Sequence, residues 1–334
     1  MINRNGVSRR RAIGFVASAV FFPAAIFGAE GPQGTPYPQR VVKIVVPFAP
    51  GGPSDLVGRL LATLLQDSFG QSFVVENRGG AGGNIGTAVV GKAAPDGYTL
   101  LVTGTSQFTI NPWLYKTLPF DFRKDFAPIA QLAVAPSVLT VHPSSGIKTI
   151  QEFIARAKAN PNKLNVGNPG AGSPPHIASE QLMVDGGIQF VNVPYSGASL
   201  AVQALLGQSI DAASTAVPPV QGLIEGGRLT GLAVTGMSRW PGLPNVPTMI
   251  ESGFPDFNVE SIFALLAPAG TPNEIVQRLA KETANVFSRS NVRERALATG
   301  FDARVTGPEQ LKARIANEAP KFKALIEKAG ITPQ

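Results

Sequence analysis

The stretch VVKIVVPFAPGGPSDLVGRLLATLL, residues 41–65, decides the fold. Residues 41–47 are rich in Val and Ile without alternation, which is typical of a strand buried on both faces of a parallel sheet. A loop of Gly, Pro, Ser and Asp follows at 48–55, and leucines then recur every four residues from Leu56. That spacing predicts an amphipathic helix with Ser54 or Asp55 as its N-cap. The stretch thus predicts the strand, loop and helix from which open α/β sheets are built.

The same order of strand, loop and helix recurs further along the chain. Short β-branched runs predict strands at 73–75, 99–103, 139–141, 164–166, 190–193 and 232–235, and another strand is expected from about Ile262. Apolar spacing predicts two long C-terminal helices at 273–287 and 308–328, the second ending before Gly330.

Two such series followed by a C-terminal return indicate a two-lobed α/β protein with a double crossover. We expect residues 37–136 plus 261–334 to form lobe 1 and residues 137–260 to form lobe 2. A hinge of this kind places a ligand cleft between the lobes.

Residues 1–29 have the order of a signal peptide. Three arginines at 9–11 precede the apolar run Ala12 to Phe27, and the small residues Gly28 and Ala29 follow it. That run is shorter than the ~20 residues that a membrane span needs. We therefore expect export by the Sec or twin-arginine route, with an uncleaved N-terminal anchor as the alternative. Because the chain has no cysteine for lipid attachment, the expected destination is the periplasm, as a soluble protein.

Charge and cysteine content exclude several classes of function. The net charge is +7, but residues 1–29 hold four of the 29 basic residues and no acidic one. The other Lys and Arg are scattered and only 7% of residues are aromatic, so no nucleic-acid partner is predicted. Without cysteine there is no thiolate nucleophile and no Cys-ligated metal, and His142 and His176 lack zinc-ligand spacing. Neither a metal nor a cofactor is predicted.

Four strand-to-helix loops are candidate anion sites, at 48–55, 103–107, 170–176 and 194–199. They are rich in Gly, Ser and Thr and contain no Lys or Arg. Loops at the carboxyl ends of parallel strands face helix N-termini, whose free N–H groups and dipole favour an anion. The loops therefore predict an anion held by backbone N–H groups, hydroxyls and water; the alternative is that the glycines only make tight turns.

The familiar enzyme motifs are absent from the sequence. Ile85 stands where G-x-G-x-x-G would need its last glycine, there is no P-loop, and residues 197–201 fall short of a nucleophile elbow. The protein is therefore not predicted to be an enzyme. A periplasmic hydrolase using Ser199 or Ser106 is the less favoured alternative.

Several motifs, in order along the chain, identify a family resemblance. Residues 47–55 match PFxPGGxxD, residues 76–86 match ENRGGAGGxIG and residues 94–100 are APDGYTL. Further matches are NPxLY at 111–115, PYxG at 194–197, LAVT at 232–235, VPT at 246–248 and APxGTP at 267–272. These motifs resemble the substrate-binding proteins of tripartite tricarboxylate transporters, the TctC-like or Bug family, over essentially the whole mature chain.

The resemblance implies a type II periplasmic-binding-protein (venus flytrap) fold and a small carboxylate ligand, such as citrate, aspartate, nicotinate or another mono- or dicarboxylate. It implies membrane transporter subunits as partners of a monomeric receptor; a ligand-sensing subunit of a membrane two-component kinase is the alternative.

The resemblance also implies the ligand-binding residues. One side of the cleft would supply Phe48, Gly51, Gly52, Ser54, Asp55, Thr105 and Ser106, and the other Gly172, Ser173, Tyr195, Gly197 and Thr215. Many relatives carry His where this chain has Gln107 or Phe108, so the contacts of that loop are open. Phe48 either stacks on an aromatic ligand or only closes the cleft.

Overall fold

The structure is a computed structural model that describes residues 37–331 and 333. The predicted signal peptide, residues 1–29, lies outside the described residues. Within the described part of the chain, no helix is long and apolar enough to cross a membrane.

Strands and helices alternate along most of the chain. The strands are β1 (Val42–Val46), β2 (Phe73–Asn77), β3 (Thr99–Gly104), β4 (Phe126–Val141), β5 (Asn165–Asn168), β6 (Val191–Pro194), β7 (Ala212–Ala216), β8 (Thr230–Val234) and β9 (Glu260–Pro268). The helices are α1 (Pro53–Phe69), α2 (Asn84–Gly91), α3 (Ser106–Thr109), α4 (Asn111–Leu114), α5 (Phe122–Asp125), α6 (Ile150–Ala159), α7 (Pro174–Gly186), α8 (Ala198–Leu206), α9 (Gln221–Glu225), α10 (Asn273–Phe287), α11 (Ser290–Ala298) and α12 (Pro308–Lys328).

The strands form two half-sheets that share β4. The order is β2-β1-β3-β9-β4-β7-β5-β6, with β8 also paired to β4. In the first half, β1 runs parallel to β2 and β3, and β9 is antiparallel to β3 and β4. In the second, β5 runs parallel to β6 and β7, while β7 and β8 are antiparallel to β4. The helix-bearing loops of each half therefore leave the carboxyl ends of parallel strands.

Strand β4 changes partners in its middle. Up to Pro136, which pairs with Glu260, it pairs with β9; from Ser137, which pairs with Ala216, it pairs with β7. Sequence reasoning predicted only its last three residues and missed the preceding thirteen. Pro128 and Pro136 interrupt this stretch, and proline within a run argues against a central strand.

Helix α1 shows why the opening stretch folds as it does. Val57, Leu61, Leu64 and Leu65 are buried, as expected for an amphipathic helix, but Leu56, where the predicted leucine stripe begins, is 41% exposed and Leu60 is only half-buried. The N-cap prediction is wrong, because the N-cap is Gly52, with Pro53 in the first turn. Proline fits there because the N–H that it lacks would have no partner within the helix. The predicted bounds of α10 and α12 are confirmed, and Gly330 adopts the left-handed conformation, φ 67°, expected just after a helix.

Candidate ligand-binding site

Asp55 fixes the loop that precedes α1. Its side chain is 2% exposed, and its Oδ2 accepts hydrogen bonds from the Gly51 N–H and from Arg59 Nε, both at 2.9 Å. Its Oδ1 accepts from Asn77 Nδ2 at 2.9 Å. Burial alone would raise the pKa of Asp55, but hydrogen bonds from Arg59, Gly51 and Asn77 hold that pKa below its ordinary value. The carboxylate is therefore ionised and occupied in shaping the loop.

The N-terminus of α1 has no side-chain cap among the described residues. The N–H groups of Asp55 and Leu56 bond to the Gly52 carbonyl and Pro53 has no N–H, so in the first turn only the Ser54 N–H lacks a partner among the described residues. Ser54, in the first turn, is 5% exposed. The ionised Asp55 in this turn offsets part of the positive charge of the helix end, and the Ser54 N–H remains available to an external anion.

A network of buried amides lies beside this loop. Gln107 Nε2 donates to the Gly82 carbonyl at 2.7 Å, and Asn111 Nδ2 donates both to Gln107 Oε1 at 3.0 Å and to Asn84 Oδ1 at 2.8 Å. The three amide side chains are 2–3% exposed. Sequence reasoning missed Asn84 and Asn111 and noted Gln107 only as a departure from relatives. The signal that could have found them is their place next to the glycine-rich loop and inside the NPxLY motif.

Phe48 and Gln107 converge on Gly83. A methyl group added at Gly83, whose φ is +93°, would lie 2.9 Å from Phe48 Cζ and 2.8 Å from Gln107 Nε2. Phe48 is half-buried, and Thr105 and Ser106, at the start of α3, are buried. The predicted residues of the first half-sheet are therefore spread over two loops, 48–55 and 105–106, with the amide network beside them.

On the other half-sheet, the predicted residues lie around the ends of β5 and β6. Ser173 is the N-cap of α7, where its Oγ accepts from the His176 N–H at 3.3 Å and donates to the Gly170 carbonyl at 2.7 Å. Gly197, at φ +124°, precedes α8, and the Tyr195 N–H donates to the Asn168 carbonyl at 2.9 Å.

Thr215 lies deeper than the other predicted residues. It belongs to β7, is fully buried, and its Oγ1 has no hydrogen-bond partner among the described residues. A bound water or ligand can satisfy such a hydroxyl, but Thr87, Thr103, Ser137 and Thr283 share this feature, so it does not by itself mark Thr215 as a ligand contact.

The two groups of loops meet at Gly172. A methyl group added there would lie 2.8 Å from Leu114 Cδ1 and 2.9 Å from Asn111 Oδ1, so loop 170–173 rests on α4. A cavity of about 170 Å³ opens beside this contact, and its lining residues are Leu114, Tyr115, Asn168, Ala171, His176, Asn192, Pro194 and Ile331. None of the twelve predicted residues lines it, although Ala171 and Pro194 adjoin two of them, Gly172 and Tyr195, along the chain.

No group of three or more His, Asp or Glu side chains suited to a metal ion occurs in the part of the chain that the structure describes. His142 Nδ1 lies 2.7 Å from Ser144 Oγ, whereas His176 contacts Gly172 and Glu180. Among the described residues, neither histidine pairs with Ser106 or Ser199, the candidate nucleophiles of the alternative reading.

Asp55→Ala is expected to lower the free energy of unfolding by about 2–4 kcal/mol, because buried donors lose a charged acceptor. Urea denaturation at pH 7 measures this change. Asp67→Ala, at an exposed position of the same helix, is the control and should change stability by less than about 0.5 kcal/mol.

The difference in the free energy of unfolding between wild type and Asp55→Ala should also depend on pH. Since the folded-state pKa of Asp55 lies below the unfolded value, its stabilisation is complete above about pH 4 and is lost as the pH falls through the folded pKa. A difference between wild type and Asp55→Ala that stays constant from pH 7 down to pH 2 contradicts the assignment.

Two half-sheets that share a strand, with glycine-rich loops at the carboxyl ends of their parallel strands, define a two-lobed periplasmic binding protein. The chain belongs to the tripartite tricarboxylate transporter receptor family, TctC, whose family model matches residues 57–331. Members of this family are periplasmic solute-binding proteins.

Sequence relatives and solved structures agree with this assignment. BugT of Bordetella pertussis is 34% identical over 295 residues, 88% of this chain and 90% of its own length. A protein from Rhodopseudomonas palustris with adipate superposes with a TM-score of 0.86 at 31% identity, covering 90% of this chain and 100% of that one. MatC from the same organism, with bound malate, gives a TM-score of 0.79 at 31% identity, covering 87% of this chain and 100% of that one.

Proposed function

We propose that this protein captures a small carboxylate between its lobes and delivers it to the membrane subunits of a tripartite tricarboxylate-type transporter, without chemical change. The observation that carries the proposal is the N-terminus of α1, which has no side-chain cap and which Asp55 holds in place. An anion stabilises such an end, and the four candidate loops at 48–55, 103–107, 170–176 and 194–199 contain no lysine or arginine that would bind the anion by an ion pair instead. The adipate and malate bound by two related structures support a carboxylate as that anion.

We infer that lobe 1 comprises residues 37–136 and 261–334 and that lobe 2 comprises residues 137–260. The change of partner in β4 between Pro136 and Ser137 supports the first boundary, and the start of β9 at Glu260 supports the second. The chain would then pass between the lobes twice, once within β4 and once at the start of β9. Two such connections would allow the lobes to close over a ligand by a hinge motion.

We propose that the twelve predicted residues form the ligand site in two roles. Asp55 and Ser173 are engaged in hydrogen bonds within their loops, so they would shape the backbone. The others would offer N–H groups, hydroxyls or ring surface: Phe48, Gly51, Gly52, Ser54, Thr105, Ser106, Gly172, Tyr195, Gly197 and Thr215.

The proposed function also implies a location, an oligomeric state and a partner for the protein. We infer that residues 1–29 direct export to the periplasm, where the protein acts as a monomer. The family description supports a transporter as the partner, and a sensor kinase would use the same closed form.

A thermal-shift panel tests the carboxylate proposal. Adipate, malate, citrate, aspartate and nicotinate are offered with the corresponding amides, which lack the carboxylate charge, as matched controls. A ligand at one hundred times its Kd stabilises the folded state by about 2.7 kcal/mol, so at least one acid should raise the Tm by several degrees and its amide should not. Absence of any shift at millimolar acid, or an equal shift with the amide, overturns the proposal.

A further inference from the structure

A closed chain of hydrogen bonds holds loop 170–173, and His176 is one link in it. The Gly172 N–H donates to His176 Nδ1 at 3.4 Å, and His176 Nε2 lies 3.2 Å from Glu180 Oε1. His176 is 8% exposed and the Glu180 side chain 13%, so neither contact is a surface pairing.

The chain continues through two asparagines back to the same loop. Asn192 Nδ2 donates to Glu180 Oε1 at 2.8 Å, and Asn168 Nδ2 donates to Asn192 Oδ1 at 3.3 Å. Asn168 Oδ1 then accepts from the Gly170 N–H at 3.0 Å. Both ends of the loop are thus tied to the ends of β5 and β6, one through the imidazole and one through an amide.

These partners determine which tautomer the neutral ring of His176 adopts. A backbone N–H can only donate, so Nδ1 must present its lone pair to Gly172, and the one proton of the neutral ring sits on Nε2, towards Glu180. A protonated ring would carry a second N–H at Nδ1, directly opposite the Gly172 N–H. Two donors would then face each other, and the loop would have to move.

We propose that His176 is a positioning residue for loop 170–173, and that the loop holds its ligand-binding conformation only while His176 is neutral. The proposal rests on the proposed function for the part that concerns affinity. Gly172 has no free space for such a movement, because Leu114 Cδ1 and Asn111 Oδ1 lie within 3 Å of the position that its Cβ would take. A small displacement of the loop therefore changes the contact between the two groups of ligand loops.

The surroundings of His176 contain few other ionisable groups. Glu180, on the same helix, faces Nε2 and interacts with that nitrogen in both charge states. Tyr115, which lines the same cavity, stays neutral at physiological pH because burial raises the pKa of its hydroxyl further. Facing strands β5, β6 and β7 present Asn168, Asn192 and Ser214, none of which titrates.

Two substitutions at this position separate positioning from packing. His176→Asn keeps an acceptor, Oδ1, near the place of Nδ1 but cannot take up a proton. His176→Ala removes the acceptor. His142→Asn is the matched control, since His142 Nδ1 also accepts a backbone N–H, from Ser144 at 3.2 Å, in an exposed loop that carries no predicted ligand residue.

Binding is measured by calorimetry between pH 8 and pH 5.5 with adipate, malate and any other acid that the thermal panel identifies. Each of these acids keeps at least one ionised carboxylate over that range, whereas histidines take up a proton within it. The wild-type affinity is expected to fall about tenfold on acidification. His176→Asn should bind within about threefold of the wild type at pH 8 with a flat pH profile, His176→Ala at least tenfold more weakly throughout, and His142→Asn like the wild type.

A measurement on the ligand-free protein tests the positioning role of His176 independently of the proposed function. In ¹⁵N NMR spectra of the free protein, His176 Nδ1 should show an unprotonated shift at pH 8. The Gly172 amide signal should move on acidification in the wild type and stay fixed in His176→Asn. A protonated Nδ1 at pH 8, or an amide signal that moves equally in both proteins, overturns the positioning role. Wild-type affinity that is constant within twofold across the range overturns its link to binding, and failure of every acid to bind rejects the proposed function alone.

Discussion

Gly52→Asp is expected to abolish carboxylate binding, with a loss of affinity of at least one hundredfold, while the fold is retained. Gly52 has φ −77° and ψ 166°, the extended conformation of an N-cap that any residue can adopt. A Cβ at Gly52 would lie 3.4 Å from the Ala49 carbonyl oxygen and would meet no other atom within 4 Å. An aspartate is among the best N-cap residues, so its own carboxylate would occupy the Ser54 N–H that we assign to the ligand.

Stability and binding are expected to separate in this variant. The new cap stabilises α1 and repulsion from Asp55 opposes it, so the free energy of unfolding should stay within about 1 kcal/mol of the wild type. Gly52→Ala is the matched control, since it adds the Cβ without a carboxylate and should bind within a few fold of the wild type. Calorimetry with the best acid of the panel and urea denaturation measure the two quantities. Undiminished binding by Gly52→Asp would place the anion away from α1.

The sequence predicts much of this fold because many elements carry their own signal. Strand β1 buries every residue except Lys43, and helices α10 and α12 each bury one regular stripe, so the local apolar pattern is sufficient to find them. The first thirteen residues of β4 carry no such signal. Their pairing with β9 joins segments more than one hundred residues apart and tolerates Pro128 and Pro136 at irregular or terminal positions of the register. Only the tertiary structure reveals that this strand connects the two half-sheets.

The candidate site likewise contains a part that the sequence predicts and a part that only the tertiary structure reveals. Loops 48–55 and 170–176 are visible in the sequence because glycine, proline and a capping serine mark them. The amide network is not visible, since Asn84, Gln107 and Asn111 come from separate loops and meet only through burial. The tie between His176 and Gly172 is equally hidden, because a histidine in the first turn of a helix has no typical partner that a sequence pattern could name.

Gly172→Ala is expected to weaken ligand binding by about ten- to one hundredfold by pushing loop 170–173 away from α4. The added methyl group would lie 2.8 Å from Leu114 Cδ1 and 2.9 Å from Asn111 Oδ1, closer than real Cβ contacts allow. The backbone at Gly172, φ +78°, adds strain of about 1–2 kcal/mol for an alanine. If this loop binds ligand only when seated on α4, each 1.4 kcal/mol needed to reseat it reduces the affinity tenfold.

Two further variants distinguish the steric contact of the added methyl group from the backbone strain at Gly172. Gly146→Ala has a matching φ, +71°, but no atom within 4 Å of the new methyl group, so it should lose about 1 kcal/mol of stability and keep its affinity. The double variant Gly172→Ala with Leu114→Ala removes one of the two close contacts and should regain part of the binding. Because truncating Leu114 alone also costs stability, the comparison is a double-mutant cycle in affinity, and a positive coupling identifies the steric contact. Equal affinities for Gly172→Ala and the wild type would mean that the loop does not close on the ligand, and that α1 and its neighbouring loops hold it without a contribution from Gly172.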